Sequence, residues 1–284
     1  MNDYDAGITF VSRLRLKVRV QKVNNERSAF ADSATRLKST SIGLAPTPWQ
    51  LQGRGYLMVF RFSPDHQKRS SFLGRSQQAR LQSGLSTVLL LDHQDSSVGS
   101  HQELLYIPGK LPFAGERLST FSKAYCSSQE AIDGGRLHWG INKEVARFNF
   151  DADPTDFIHD DHSMVVAEKT SHFISVKKGS RSVLATGLRA YGPSFGLSSR
   201  FLPKSLLRMG QSLNNQRFVF QPELQARARL VHVDSLFINP TLFPDVRLAR
   251  LVGCLQLNNL NMTYPLAQID TIEHLIPGIA HKHA

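Results

Sequence analysis

The stretch that decides the reading of this chain is Gly135-Arg136-Leu137-His138-Trp139-Gly140-Ile141-Asn142-Lys143-Glu144-Val145-Ala146. It follows Ser127-Ser128-Gln129-Glu130, which fits a capping box with Ser127 as N-cap and Glu130 three residues inside the helix. The short helix so started is expected to end at Gly134-Gly135, since glycine suits the left-handed turn that closes helices. A lysine then sits among apolar and aromatic neighbours, and β-type sequence resumes over Val145 to Phe150.

Working outward, further strands are expected at Tyr56–Phe62, Thr87–Leu91, Glu103–Ile107 and Leu118–Tyr125 on the N-terminal side. On the C-terminal side they are expected at Met164–Val176, Val183–Ala190, Ala226–Ile238 and Leu248–Leu257. Asp65 to Gly84 is polar and basic and reads as a helix or excursion, and Pro203 to Leu213 as a short helix. Many β-type runs at short spacing with few helical periods predict a β-dominated α+β domain. Near the N-terminus, Arg13 to Val20 alternates strictly, which places Leu14, Leu16, Val18 and Val20 on one strand face and cations on the other. Residues 24–45 are polar and serine-rich. The domain is therefore expected over 46–284, with 1–45 as a basic arm.

The chain has 284 residues, with 34 Lys+Arg against 23 Asp+Glu and a net charge of +11. Such a balance raises nucleic acid or an anionic membrane as partners. The charge is dispersed, however. Residues 101–150 carry six basic and five acidic side chains, while the excess lies in 1–100 and 201–250. No nucleic-acid motif accompanies it, so no nucleic-acid partner is expected. No run of 18 apolar residues exists, which excludes a membrane-spanning helix. Asp3 and Asp5, with no apolar segment behind a basic start, speak against a signal peptide or presequence, and a cytoplasmic protein is expected. Cys126 and Cys254 are too few for a disulfide framework and read as small buried residues.

Phosphate loops, dinucleotide fingerprints, CxxC pairs and the Gly-x-Ser-x-Gly elbow are all missing. His159-Asp160-Asp161-His162 offers metal-ligand chemistry, but adjacent residues on an extended chain face opposite ways, and a polar loop is the simpler reading. His281 and His283 fall in a C-terminal tail. No metal or organic cofactor is expected.

The opening stretch resembles the acetoacetate decarboxylase family. There, a helix ending in Gly-Arg-Glu leads to a Lys-Lys pair whose first lysine forms a Schiff base; Lys143 matches that lysine. Ser96-Ser97-Val98-Gly99-Ser100-His101-Gln102-Glu103 resembles the family's Gly-x-x-x-Glu segment, and Glu103 matches its active-site glutamate. Gly53-Arg54-Gly55-Tyr56-Leu57 looks like the family's arginine-bearing first strand, with Arg54 as the matching residue. The three blocks stand in family order and cover residues 46–150; the C-terminal half matches in length and strand texture.

The resemblance implies a large antiparallel barrel or cone-like sheet, a homo-oligomer, and decarboxylation of a β-keto acid, one derived from a polyketide included. Related members keep the lysine for aldol, dehydration or hydration chemistry, and a non-catalytic small-molecule or anion-binding descendant is the other outcome. Lys143 and Glu103 would be the catalytic pair. Arg54 would hold the substrate carboxylate, and Trp139 and Ile141 would wall the pocket. A lysine with its ordinary pKa is only about 0.04% neutral at pH 7, so such chemistry needs an apolar pocket or a nearby cation; acetoacetate decarboxylase is itself the standing example of this activation.

Two departures bear on the chemistry. Glu144 stands where the family has its second lysine, and a carboxylate beside the amine would favour the ammonium. In an extended segment, neighbouring side chains diverge and Glu144 would not reach Lys143. The strand Ser86–Leu91 also lacks the acidic residue that the family carries before its Gly-x-x-x-Glu segment.

Overall fold

A computed structural model describes residues 44–113, 115–152 and 172–271. The alternating strand before Val20, the cluster at His159–His162, the tail histidines and the first part of the strand expected from Met164 lie outside these residues.

The described chain is strand-dominated. Its large sheet comprises β1 (Trp49–Arg61), β2 (Leu85–Ser96), β3 (His101–Ile107), β6 (Lys123–Cys126), β7 (Glu144–Val145), β8 (Arg147–Asn149), β9 (His172–Lys178), β10 (Arg181–Ser198), β13 (Glu223–Ile238) and β14 (Arg250–Tyr264). These ten pair in the order β7-β6-β3-β2-β1-β14-β13-β10-β9-β8 and curl into a nearly closed barrel. All pairings are antiparallel except β6 with β7. A smaller sheet joins β4 (Lys110–Phe113), β5 (Glu116–Ser119), β11 (Met209–Leu213), β12 (Gln216–Phe220) and β15 (Gln268–Thr271). The helices are short: α1 (Pro64–Arg69), α2 (Arg75–Arg80), α3 (Gln129–Trp139) and α4 (Lys204–Leu207).

Two apolar cores lie on opposite faces of the central strands. One contains Tyr56, Met58, Phe60, Leu90, Leu104 and Tyr106. The other contains Trp49, Leu51, Leu91, Leu105, Trp139 and Phe218. Strand β3 is therefore buried on both sides, and its run Glu103-Leu104-Leu105-Tyr106 is buried throughout. Alternation sends Leu104 and Tyr106 to the first core and Leu105, with Glu103, to the second.

Four local expectations are corrected. The N-cap of α3 is Ser128, whose Oγ accepts from the Ala131 amide at 3.3 Å; Glu130 bonds the Ser128 hydroxyl instead of closing the box expected from Ser127. The helix runs through Gly134-Gly135 to Trp139 and ends at Gly140, φ 64°. There the Gly140 amide donates to the Arg136 carbonyl, the five-to-one bond of an αL cap, and the Ile141 amide donates to the Gly135 carbonyl. The segment Leu118–Tyr125 is two strands in two sheets. Ser119 pairs with Met209 in the small sheet, and Lys123 onward pairs with β3 in the large one, so tertiary pairing breaks an apolar run that reads as continuous. Pro203 to Leu213 is helical only over α4, because Met209 onward pairs with β12.

Candidate active site

The glycine pair inside α3 shapes the site. A Cβ at Gly134 would lie 2.4 Å from the Trp49 ring, and one at Gly135 would lie 2.9 Å from Lys143 Cε. The pair is a notch in the helix face that receives an aromatic ring and a lysine. The left-handed turn at Gly140 then folds the chain back, so that Lys143, immediately before β7, lays its side chain against the helix it has just left.

Lys143 is 6% exposed and Glu103 4%. The Lys143 ammonium donates to Glu103 Oε1 at 2.5 Å and to the Ala131 carbonyl at 3.2 Å. Around them, Trp49, Leu51, Leu105, Trp139, Ile141 and Tyr264 enclose a tight cavity of about 10 Å³, roughly one water molecule, with His101 also in its wall. The aromatic wall is closely packed. Trp139 meets Trp49 and Tyr264 edge to face at 4.8 and 5.3 Å between ring centroids, and its indole N–H donates to the Pro265 carbonyl at 2.7 Å.

Strand register supplies two further groups. Pairing of β2 with β3 sets His93 opposite His101 and Leu91 opposite Glu103. His93, His101 and Glu103 thus share the face that looks at Lys143. His93 Nε2 lies 3.8 Å from Glu103 Oε2, and His101 Nε2 lies 3.8 Å from Glu103 Oε1. Both imidazoles are wholly buried, and neither nitrogen of His93 has a hydrogen-bond partner. His101 Nδ1 is fixed on the Gly99 carbonyl at 2.9 Å. Burial opposes the charge on Glu103, but the Lys143 ammonium, with His93 and His101, holds that carboxyl well below the usual carboxylate range. Burial also lowers the His101 pKa and pushes the neighbouring Cys126 thiol up to about 12, which leaves it inert.

The three ligating atoms of His93, His101 and Glu103 lie within 4.8 Å of one another, close enough to converge on a divalent cation. One Glu103 oxygen already carries the Lys143 ammonium, so a cation bound to all three would displace it.

Of the residues expected from sequence, Lys143, Glu103, Trp139 and Ile141 come together in one cavity. Arg54 does not join them. On β1, Trp49 and Leu51 face the cavity, and Arg54 falls on the opposite face, with Tyr56 and Met58. Its cross-strand partner is Asp92, which it meets at 2.9 Å, and it also reaches Asp151 at 3.3 Å and covers the Phe150 ring. The guanidinium thus stands on the far face, between two carboxylates.

His93 was not expected from sequence, because β2 was read as ending at Leu91. Its signal was the spacing across the hairpin, which brings His93 level with His101.

Glu144 is settled by the same alternation. Its carboxylate is held by Lys123 and Lys178, on the side away from Lys143. The Glu144→Gln protein is therefore expected to form an adduct at Lys143 at a rate within about twofold of the wild type. It should lose no more than about 1 kcal/mol, as for a partly exposed ion pair. Timed trapping and urea unfolding check the two halves.

Neither a protein-family model nor a curated protein matches the chain. Solved structures do. An acetoacetate decarboxylase from Legionella pneumophila subsp. pneumophila str. Philadelphia 1 is similar with a TM-score of 0.56 at 18% identity, covering 79% of this chain and 88% of that one. The enduracididine biosynthesis enzyme MppR, complexed with the condensation product of pyruvate and imidazole 4-carboxaldehyde, gives 0.50 at 13%, covering 81% and 91%. An acetoacetate decarboxylase-like enzyme from Sphingomonas wittichii RW1 gives 0.50 at 8%, covering 80% and 93%. No described helix is long and apolar enough to cross a membrane. The two-sided central strands, the ten-stranded curled sheet and these likenesses together give the chain the acetoacetate decarboxylase-like fold.

Proposed function

We propose that this protein is a Schiff-base lyase that acts on a small β-keto acid, with Lys143 as the nucleophile. The observation that carries the reading is a lysine 6% exposed, hydrogen-bonded to a buried glutamate within an aromatic cavity. Its amine, once neutral, adds to the ketone carbon; loss of water gives a protonated imine. The C–CO₂ bond then breaks, its electron pair forms the enamine, and the imine nitrogen accepts the displaced π pair. Glu103 holds the amine in line and takes part in the proton movements of the addition step. Trp139 and Ile141 keep water away.

With Arg54 engaged elsewhere, Lys143 is, among the described residues, the one Lys or Arg lining the cavity, and Glu103 faces any second charge. A carboxylate brought here shares the cavity with the Glu103 carboxylate and has the iminium as its sole balancing charge, an arrangement that favours its departure as neutral CO₂.

A second reading is favoured by the buried imidazoles beside the lysine and by the condensation product held in MppR: aldol or dehydration chemistry through the same imine. Sodium borohydride added with acetoacetate is expected to fix a covalent adduct that peptide mass spectrometry maps to Lys143, accompanied by CO₂ release. An adduct without CO₂ shifts the assignment to the second reading. A folded protein with no adduct removes both.

A further inference from the structure

The imidazole of His101 has a role that the decarboxylation reading leaves unused. Its Nδ1 sits 2.9 Å from the Gly99 carbonyl, an acceptor only, so Nδ1 carries the proton and Nε2 presents its lone pair. That lone pair faces the Lys143 cavity: Nε2 is 3.8 Å from the same Glu103 oxygen that holds Lys143 Nζ at 2.5 Å. Acceptor and nucleophile therefore line one cavity. Glu103 is poorly placed for the same task, since its carboxyl is held ionised by Lys143 and is a weak base.

We propose that His101 Nε2 is the group that moves the proton at the carbon next to an imine on Lys143, so that the site makes enamines from simple ketones by deprotonation. The step balances without an added reactant. The α-C–H bond breaks, its proton goes to Nε2, its electron pair becomes the C=C bond, and the C=N π pair returns to nitrogen. Run backwards, the same transfer quenches the enamine left by loss of CO₂. His93, closing on the other Glu103 oxygen, is a positioning residue for that carboxylate.

The inference rests on the imine reading, and one experiment separates their fates. Acetone serves as probe, having α-hydrogens and no carboxylate. Wild-type protein with acetone in D₂O is followed by proton NMR for exchange, and in parallel with borohydride for the adduct. Both are expected. His101→Asn keeps a donor to the Gly99 carbonyl and deletes Nε2, and His101→Gln is a second variant in case the first does not fold. Either is expected to retain the adduct at Lys143 while exchange falls at least about 100-fold, the scale of a lost general base. A wild-type adduct without exchange overturns the role of His101 and leaves the imine standing, as does a His101 variant that still exchanges within about threefold of the wild type. Absence of the wild-type adduct overturns the imine reading and this one with it.

Discussion

The Lys143→Met protein will be less stable than the wild type by about 3–5 kcal/mol at neutral pH, the usual cost of leaving one half of a buried ion pair alone. Glu103 is the half left behind, 4% exposed and without the charge that holds it ionised. In the wild type its pKa is depressed, so its contribution to stability is fully present above the ordinary carboxylate range near pH 4–5 and is lost only as pH falls through strongly acidic values. Removing the ammonium leaves burial as the main influence, which raises the pKa. The sign then reverses: the variant is penalised as pH rises through the carboxylate range, so its deficit is larger at pH 8 than at pH 5. Urea midpoints at the two pH values measure this. Lys143→Met/Glu103→Leu should recover much of the loss, since replacing both charges with apolar groups removes the desolvation cost. Equal deficits at both pH values would mean that Glu103 is not ionised beside Lys143.

A loss of about 2–4 kcal/mol is expected for Gly140→Ala. Two costs coincide there. The residue has φ 64°, which costs an L side chain about 1 kcal/mol or more. Its new Cβ would stand 2.5 Å from Phe218 Cδ2, in a core where overpacking costs about 1–3 kcal/mol. Gly179→Ala is the control: φ is 61°, but no atom lies within 4 Å of the added carbon, so only the conformational part should appear. Because Gly140 forms the turn that returns Lys143 to α3, the Gly140→Ala protein should also give less adduct at Lys143, whereas Gly179→Ala should not. Equal losses in the two proteins would show that contact with Phe218 costs nothing.

The β-dominated fold was legible in strand texture, and a family resemblance marked Glu103 and Lys143, forty residues apart, which the structure places within a hydrogen bond of each other. The failures have a common physical cause. Gly134-Gly135 looks like a helix end because glycine's conformational freedom is its best-known property; here the pair is used for its lack of volume, which shows only once Trp49 and Lys143 are in place. Arg54 is out of step with cavity-facing Trp49 and Leu51 in the alternation of β1, so it falls on the far face. His93 entered the site through the register of a hairpin, a property of pairing that neither strand carries alone. Local sequence reports which residues alternate; it does not report which face the rest of the molecule will cover.

The tightness of the cavity carries a kinetic consequence. A chamber with room for about one water molecule cannot hold bulk solvent beside an imine on Lys143. A ketone larger than water fits beside Lys143 only once neighbouring side chains move. If Lys143 forms the proposed imine, its turnover is expected to depend on rearrangement of Trp49, Trp139 and Tyr264, and a viscogen such as glycerol to slow it.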